Sequence, residues 1–561
     1  MAAALPKIEL TEREGRLRSL LNATANNMNV EYGKRLREKL SSTPPRKKVE
    51  LRWAGGWVRD KLLGIPSHDI DVAINSVTGE EFAAELRRYC ETDGVSREYG
   101  LGPDDMGRLH TIARNPDKSK HLATTNIKLW DLDLDFVNLR RESYTADSRN
   151  PTVEFGTAQE DALRRDATVN ALFYNLKTGL VEDLVGGLDD MKRKLIRTPL
   201  APLQTFLDDP LRVLRLVRFA SRLGFTIDPT TEEVMADENV LHSLLVKISR
   251  ERVGVELEKM MKGEHPVESL RLIDRLQLYH AIFTNPEQPD MAKPDLSTWA
   301  TAYECLDFLK STKKPGSIYD LLITSDDASY YAWSLVGFTP WTSLSDAQVK
   351  TFMDNHNNSG RIFRSPPTLS SQVARDGFRA PNKLCDLLNG SIRNRAQILE
   401  FRNAVRDKDD SRNERDRIGM AIRSWNSQHG EWRLQVLYAI LVDVAERVGP
   451  LTATGAGENG KGASKAHAVP SPDETRDAVL AEWQEFLDHI VELDLMDVLS
   501  IKRLVDGKTL MRALQASPGR WTGPALDVAL AWQLRNPGVE DPTGAIEAVR
   551  ARRAELGIDS S

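Results

Sequence analysis

The chain has 561 residues, 40% of them hydrophobic and 28% charged, which is apolar mass for three or four domains of roughly 150 residues and excludes disorder as the main state. With 76 Lys and Arg against 82 Asp and Glu the net charge is −6, so a polyanionic partner has to be held by local basic faces and not by the field of the whole molecule. Cys90, Cys305 and Cys385 are too few and too scattered for a disulfide framework or a CxxC zinc site, and no run approaches the ~20 apolar residues of a membrane span.

In chain order, residues 1–47 carry an amphipathic helical pattern (Leu17, Leu20, Leu21, then Tyr32, Leu36, Leu40) that predicts a leader helix pair closed by "SSTPPRKK". The opening "MAAALPKIELTEREGRL" has neither a secretory apolar core nor an acid-poor transit composition, so a soluble intracellular protein is expected. Residues 48–185 read as an α/β unit. Strands are predicted at "VELRWA", "HDIDVAI", "LDLDFVNLR" and "ATVNALFYNL", with a helix at "WVRDKLLG" closed by Gly64. Beyond Leu200 the pattern is helical, with period 3.6 over 208–223, 240–262, 266–281, 391–407, 432–447 and 476–504. Residues 451–475 are Gly, Ala, Ser and Pro-rich with no large apolar residue after Leu451, which predicts a disordered loop. There is no internal repeat of fixed period.

The chemistry concentrates in three strings. In "HDIDVAI", Asp69 and Asp71 stand two apart on a strand, so both carboxylates leave one face, about 7 Å apart along the chain. Such a pair can share divalent ions, although a D-x-D alone is usually a solvated strand end. Upstream, Gly55 and Gly56 lie between a strand and a helix start, where backbone N–H groups approach a phosphate closely, and Arg59 one turn later can reach the same anion. Together these residues describe a site for a metal-bound triphosphate. In "DDPLRVLRLVRFASRLGF", Asp209 before Pro210 is a good helix cap. At 100° per residue Val213, Leu214, Val217 and Ala220 share one arc, and Arg212, Arg215, Arg218 and Arg222 the opposite one. Residues 191–222 hold eight Lys and Arg against two Asp, which points to bound phosphate or RNA.

The string "GGWVRDKLLGIPSHDIDVAI" resembles the nucleotidyltransferase signature of the DNA polymerase beta superfamily. It takes the class II form shared by tRNA nucleotidyltransferases (CCA-adding enzymes) and bacterial poly(A) polymerases. "RRDATVNAL" is similar to that family's second signature, which implies that Arg165, Asp166 and Asn170 bind the triphosphate and ribose. "EDLVGGLDDMKRKLIRT" is similar to its flexible hinge, with Gly186 and Gly187 letting head and neck move. The fourth signature reads EDxxR; here Asp208 replaces the Glu, and the resemblance implies that Asp209 and Arg212 read the Watson–Crick edge of the incoming base. Arg215 and Arg218 would support base and phosphates. "ISRERVGVELEKM" resembles the fifth signature, a helix that braces the neck, and "DLDLDFVNLR" places Asp135 at the superfamily's third acidic position. The polar segment 97–125 matches a loop that helps the pocket switch from C to A.

These resemblances imply an α+β fold, in which an N-terminal mixed-sheet nucleotidyltransferase head is followed by an all-helical neck, body and tail. The expected domains are a helical extension (1–47), the catalytic head (48–185), a neck with the nucleotide-selecting helix (186–265) and a body and tail for tRNA binding (266–561). The implied reaction is addition of CCA to the 3′ end of tRNA from CTP and ATP, in the eukaryotic, fungal form of the family. Mg²⁺ would be held by Asp69 and Asp71, with Asp69, Asp71 and Asp135 as the catalytic acids. A monomer without membrane contact is expected, in cytoplasm and nucleus, an alternative start being the route to mitochondria. The alternatives are a poly(A) polymerase of the same superfamily, whose extra Arg-rich string is absent in matching form, a CC-only variant, and a non-catalytic tRNA-binding protein. In the helical body, residues 391–425 carry nine Lys and Arg against six Asp and Glu, with Trp425 and Trp432 nearby, which leaves open a solvated face or a surface for the tRNA elbow.

Overall fold

The computed structural model describes residues 7–37, 47–102, 105–107, 110–112, 124–145, 148–288, 291, 293–344, 347–350, 367–426, 430–451 and 471–558. It divides into two compact units, Met1–Glu256 with Leu276–Ala281, and Leu257–Arg275 with Ile282–Ser561.

The first unit opens with α1 (Glu12–Arg37), a single helix where a pair was expected. Leu17, Leu20 and Leu21 bury its apolar stripe, and the next turns run on without a breaker. Leu40 lies outside the described residues. Then come β1 (Leu51–Ala54), α2 (Gly56–Leu62), β2 (Asp69–Ile74), α3 (Gly79–Cys90), α4 (Val95–Glu98), β3 (His110–Ile112), β4 (Thr124–Leu129) and β5 (Leu132–Asn138). The hairpin β6 (Arg140–Thr145) and β7 (Ser148–Phe155) follows, then α5 (Ala158–Leu163), β8 (Phe173–Asn175) and β9 (Leu180–Glu182). A mixed seven-stranded sheet in the order β3-β4-β5-β2-β1-β8-β9 is the centre of this unit, with only β2 and β5 parallel. Val72, Ile74, Leu134 and Phe136 are fully buried. On β1 and β8, Trp53 meets Trp57 at 4.6 Å and Tyr174 at 5.6 Å between ring centroids. The expected strand over "ATVNALFYNL" shrinks to β8, because Thr168–Asn170 winds into a 3₁₀ turn whose Thr168 N–H bonds the Arg197 carbonyl at 2.8 Å. Glu14 on α1 is buried and accepts from Trp57 Nε1 (3.2 Å) and Lys61 Nζ (2.7 Å), so the extension pins α2.

Helices α6 (Gly187–Arg193), α7 (Pro202–Asp208) and α8 (Leu211–Leu223), then α9 (Pro229–Met235), α10 (Glu238–Lys247) and α11 (Arg250–Met261), carry the chain on, with the two-residue strands β10 (Leu195–Ile196) and β11 (Thr226–Ile227) between them. The expected helix over 208–223 starts later, at Leu211, because Asp209 is extended and Pro210 cannot donate into a preceding turn. Gly224, at φ 62°, ends it. The pattern at 240–262 is likewise two helices, broken at the extended Ile248.

The second unit is helical. Trp432–Val448 is almost wholly buried and packs against Trp299–Ser311, Asn382–Arg406 and Pro472–Glu492. Ser471 and Glu474 form a reciprocal cap at the start of Pro472–Glu492, so residues 471–475, expected in a loop, begin a helix; 452–470 lie outside the described residues. That helix stops at Glu492, earlier than expected, because Asp494 turns left-handed at φ 53°. Trp425 and Trp432 are buried core residues, so neither belongs to an RNA-facing surface. The tail helices Gly507–Leu514, Thr522–Arg535 and Thr543–Ala551 close around Leu510, Ala525, Ala529 and Val549. Among the described residues no helix is long and apolar enough to cross a membrane.

Candidate active site

At the end of β1 the chain turns through Gly55, whose φ of 68° and whose N–H bond to the Leu172 carbonyl (3.0 Å) set the start of α2. A Cβ there would lie 2.7 Å from the Arg165 guanidinium and 3.7 Å from Asp71 Oδ2, so glycine is required by contact as well as by conformation. The turn therefore lies directly beside the second signature and the acidic strand.

Parallel pairing of β2 and β5 puts Asp71 opposite Asp135 and Asp69 opposite Asp133. Residues two apart on a strand, and residues in register on its neighbour, share a face, so Asp69, Asp71 and Asp135 converge on one patch of the sheet. Burial raises the proton affinity of all three. Repulsion from Asp133 adds to it at Asp69, and that from Asp69 at Asp71, where Arg165 opposes; Asp135 is pushed up to about 6 by burial and then by Asp69 and Asp71. The patch is short of positive charge, which is the condition a divalent cation relieves. Among the described residues no three His, Cys, Asp or Glu side chains form a ready cage, so an ion held by Asp69 and Asp71 needs further oxygens, as Mg²⁺ commonly takes from phosphates.

Across the cleft the basic stripe of α8 is matched to acids. Each of its arginines meets a carboxylate. Arg215 Nε donates to Asp166 Oδ2 (2.7 Å), Arg218 Nε to Glu256 Oε2 (2.6 Å) and Arg222 Nη2 to Asp60 Oδ2 (3.1 Å). Arg212, only 7% exposed, donates to the Arg164 carbonyl at 2.7 Å and lies 3.9 Å from Glu142 on β6. Asp209 accepts from the Leu211 N–H (3.2 Å) and from Arg252 Nη2 (3.1 Å).

A chain of hydrogen bonds joins the two sides. Arg59 is buried against Asp60, which lies 2.6 Å away, and donates to Asn170 Oδ1 through Nη1; burial lowers its proton affinity. Asn170 Nδ2 and the Ala167 N–H both donate to Asp166 Oδ1 (3.1 and 2.9 Å), while Arg215 takes Oδ2. Burial alone would raise the Asp166 pKa; Arg215, Asn170 and Arg212 together hold it far below the usual carboxylate range. Phe219 sits at the hub, its ring centroid 4.4, 5.3 and 5.8 Å from the guanidiniums of Arg218, Arg215 and Arg59. Arg165 is anchored by Asp161 (3.0 Å) and by the Asn170 carbonyl (3.0 Å).

Between these groups lies a cavity of about 550 Å³. Its lining includes Gly55, Gly56, Arg59, Asp71, Arg165, Asp166, Asn170, Asp209, Arg212 and Arg215, ten of the thirteen residues singled out from the sequence. Asp69 and Asp135 flank Asp71 on the sheet, and Arg218 turns toward Glu256. The residues that sequence reading passed over are Glu142, Phe219, Arg252 and Glu256. The last two were assigned only to a bracing helix; their i, i+4 spacing, a cation and an acid on one face, was the signal that they answer Asp209 and Arg218. The Gly186–Gly187 turn, expected as a hinge, is tied down: Asp183 accepts four successive N–H groups from Val185 to Leu188, and a Cβ on Gly187 would strike the Thr168 carbonyl at 2.3 Å. Of the loop at 97–125, residues 103–104, 108–109 and 113–123 lie outside the described residues.

Residues 51–197 match the poly A polymerase head domain family, and 224–291 a family described as a probable RNA and SrmB-binding site of polymerase A. Nucleotidyltransferase lcsQ of Purpureocillium lilacinum is 50% identical over 98% of this chain and 93% of its own length. The mitochondrial CCA tRNA nucleotidyltransferase of Saccharomyces cerevisiae is 35% identical over 95% of this chain and 92% of its own. A solved CCA-adding enzyme in an apo form shares the fold with a TM-score of 0.61 at 19% identity, over 97% of this chain and 96% of that one.

Proposed function

The chain belongs to the CCA tRNA nucleotidyltransferase family, and on that premise we propose how its cleft performs template-independent addition of C, C and A to the 3′ end of tRNA from CTP and ATP, releasing pyrophosphate. The observation that carries the reading is that Asp209 and Arg212 line the same cavity as Gly55 and Asp71. A nucleotide whose phosphates lie at the glycine turn can therefore present its base to α8.

The N–H group of Gly56, presented by the turn at Gly55, holds the triphosphate together with Arg165 and Arg59. Asp209 accepts from the exocyclic amine of cytosine or adenine, and Arg212 donates to the adjacent ring acceptor. Guanine and uracil present a carbonyl where the amine should be, which faces a carboxylate and is rejected. Asp166 has every acceptor position occupied, Arg215 approaching Oδ2 through both Nε and Nη2, so its part is to hold Arg215 and Asn170 in place. Arg218, held by Glu256, supports the same helix face. Asp69 and Asp71, with Asp135 beside them, would hold Mg²⁺, which when bound lowers the pKa of the primer 3′-hydroxyl and neutralises the leaving pyrophosphate. The mitochondrial assignment of the yeast relative supports a mitochondrial pool for this chain, beside the cytoplasmic and nuclear ones we propose.

Incubation with labelled CTP or ATP and a tRNA lacking its 3′ end tests this. Two C residues and then one A are expected. ATP-only incorporation with long tails would make the chain a poly(A) polymerase, and arrest after two C residues a CC-adding form.

A further inference from the structure

The Asp209 carboxylate is held at two points by two different helices. Its Oδ1 accepts from the Leu211 N–H at the start of α8, and its Oδ2 from Arg252 Nη2 on α11. Arg252 lies one helical turn before Glu256, which binds Arg218 at 2.6 Å and lies 3.6 Å from Arg215. One face of α11 thus offers a cation to the acid of α8 and an acid to its cations. Arg252 also lines the cavity, with its side chain 34% exposed.

We propose that Arg252 is a specificity-determining positioning residue: it orients the Asp209 carboxylate toward the amine of cytosine or adenine and is itself thereby withheld from the base. The inference rests on the reading of Asp209 as the base-reading acid. A carboxylate has about four acceptor positions, and here two are taken, one on each oxygen, which leaves a position on each oxygen for a base amine. The backbone bond by itself lets the carboxylate swing about its side-chain torsions; the second anchor, from another helix, removes that freedom. The guanidinium matters in its own right. Uracil and guanine place a carbonyl at the position of the amine, and an untethered guanidinium on the cavity wall would donate to it. Pairing Arg252 with Asp209 therefore both supplies the acceptor for the correct bases and removes a donor that would welcome the wrong ones.

The test uses the full chain carrying Arg252→Ala, Arg252→Lys, Asp209→Ala or the double substitution, with kcat and KM measured for CTP, ATP and UTP and KM for tRNA. Arg252→Ala is expected to lower the preference for CTP over UTP by roughly tenfold, the worth of one charge-assisted hydrogen bond, with KM for tRNA unchanged. Arg252→Lys recovers part of it. Asp209→Ala is expected to gain UTP incorporation that the double variant loses, because the released guanidinium is what accepts uracil. If Asp209→Ala leaves the CTP preference intact, the base-reading assignment itself fails. If Asp209→Ala shifts the preference but Arg252→Ala stays within about twofold of wild type, or raises only KM for tRNA, the role given to Arg252 is overturned.

Discussion

Two ionic networks in this molecule are built from the same side chains and do opposite things. In the helical unit Arg402, 4% exposed, pairs with Asp443 (3.2 Å) and with Glu482, Arg447 closes onto Glu482 at 2.7 Å, and Trp483 Nε1 donates to Asp443 at 2.9 Å. Arg402 also lies 5.0 Å from the centroid of the Trp483 ring. Positive and negative groups there answer one another around packed aromatic surface. In the first unit the arginines of α8 are also matched to acids, yet Asp69, Asp71 and Asp135 are left with proton affinities raised by burial and by neighbouring carboxylates beside a cavity. A closed network stabilises; an open one is ready for a ligand that completes it. The difference lies in what stays unmatched and not in composition.

The largest effect that would break this comparison is expected at Asp71. Asp71→Ala should lower CTP incorporation by at least about a thousandfold, since metal-assisted charge stabilisation is worth several kcal/mol. Its melting temperature should stay level or rise, because one of three repelling carboxylates is gone. A fall in stability together with activity would mean that Asp71 belongs to a structural network like that of Arg402. The converse substitution, Arg402→Ala, should cost about 3 kcal/mol by denaturant titration, because buried Asp443 loses its nearest cation while Glu482 keeps Arg447. The choice of nucleotide should not change.

Gly55→Ala comes next. It combines a left-handed φ with a Cβ 2.7 Å from Arg165, and should lower kcat/KM for both CTP and ATP by roughly a hundredfold while leaving the CTP-to-UTP ratio unchanged. A changed ratio would show that the glycine turn and α8 act as one selecting surface.

How much of this was legible in advance depended on whether an interaction is local in sequence. Asp69 and Asp71 two apart on a strand, Gly55 at a turn and the arcs of α8 are patterns within one element, and periodicity reveals them. The role of Arg252 was hidden because its partner is 43 residues away, and that of Glu142 because Arg212 lies on a different element entirely. Trp425 and Trp432 misled for the same reason: an aromatic beside basic residues reads alike whether it faces solvent or, as here, the core. The α8 stripe is the middle case. Its basic face is plain in the sequence, but the acids that occupy it, Asp60, Asp166 and Glu256, come from three distant segments, so it read as an open surface.

The smallest expected effect probes how the closed part of the cleft network responds to acid. Arg215, Asn170 and Arg212 hold Asp166 ionised well below the usual carboxylate range, against the opposing effect of burial. A depressed folded-state pKa contributes stability that is present above the unfolded value, near 3.9 for Asp, and is lost as pH falls through the folded one. Arg215→Ala removes the strongest opposing cation and so moves the folded pKa upward. Its acid unfolding, followed by tryptophan fluorescence, should therefore begin at higher pH than in wild type, while above about pH 5 the two proteins should differ by a constant amount. The same titration of Arg402→Ala should show its deficit as Glu482, which Arg447 and Arg402 hold below the usual carboxylate range, titrates in the helical unit. If Arg215→Ala unfolds at the wild-type pH, Asp166 is held by Asn170, Arg212 and the backbone without it, and the Arg215 bond is a consequence of the site's geometry and not a cause of it.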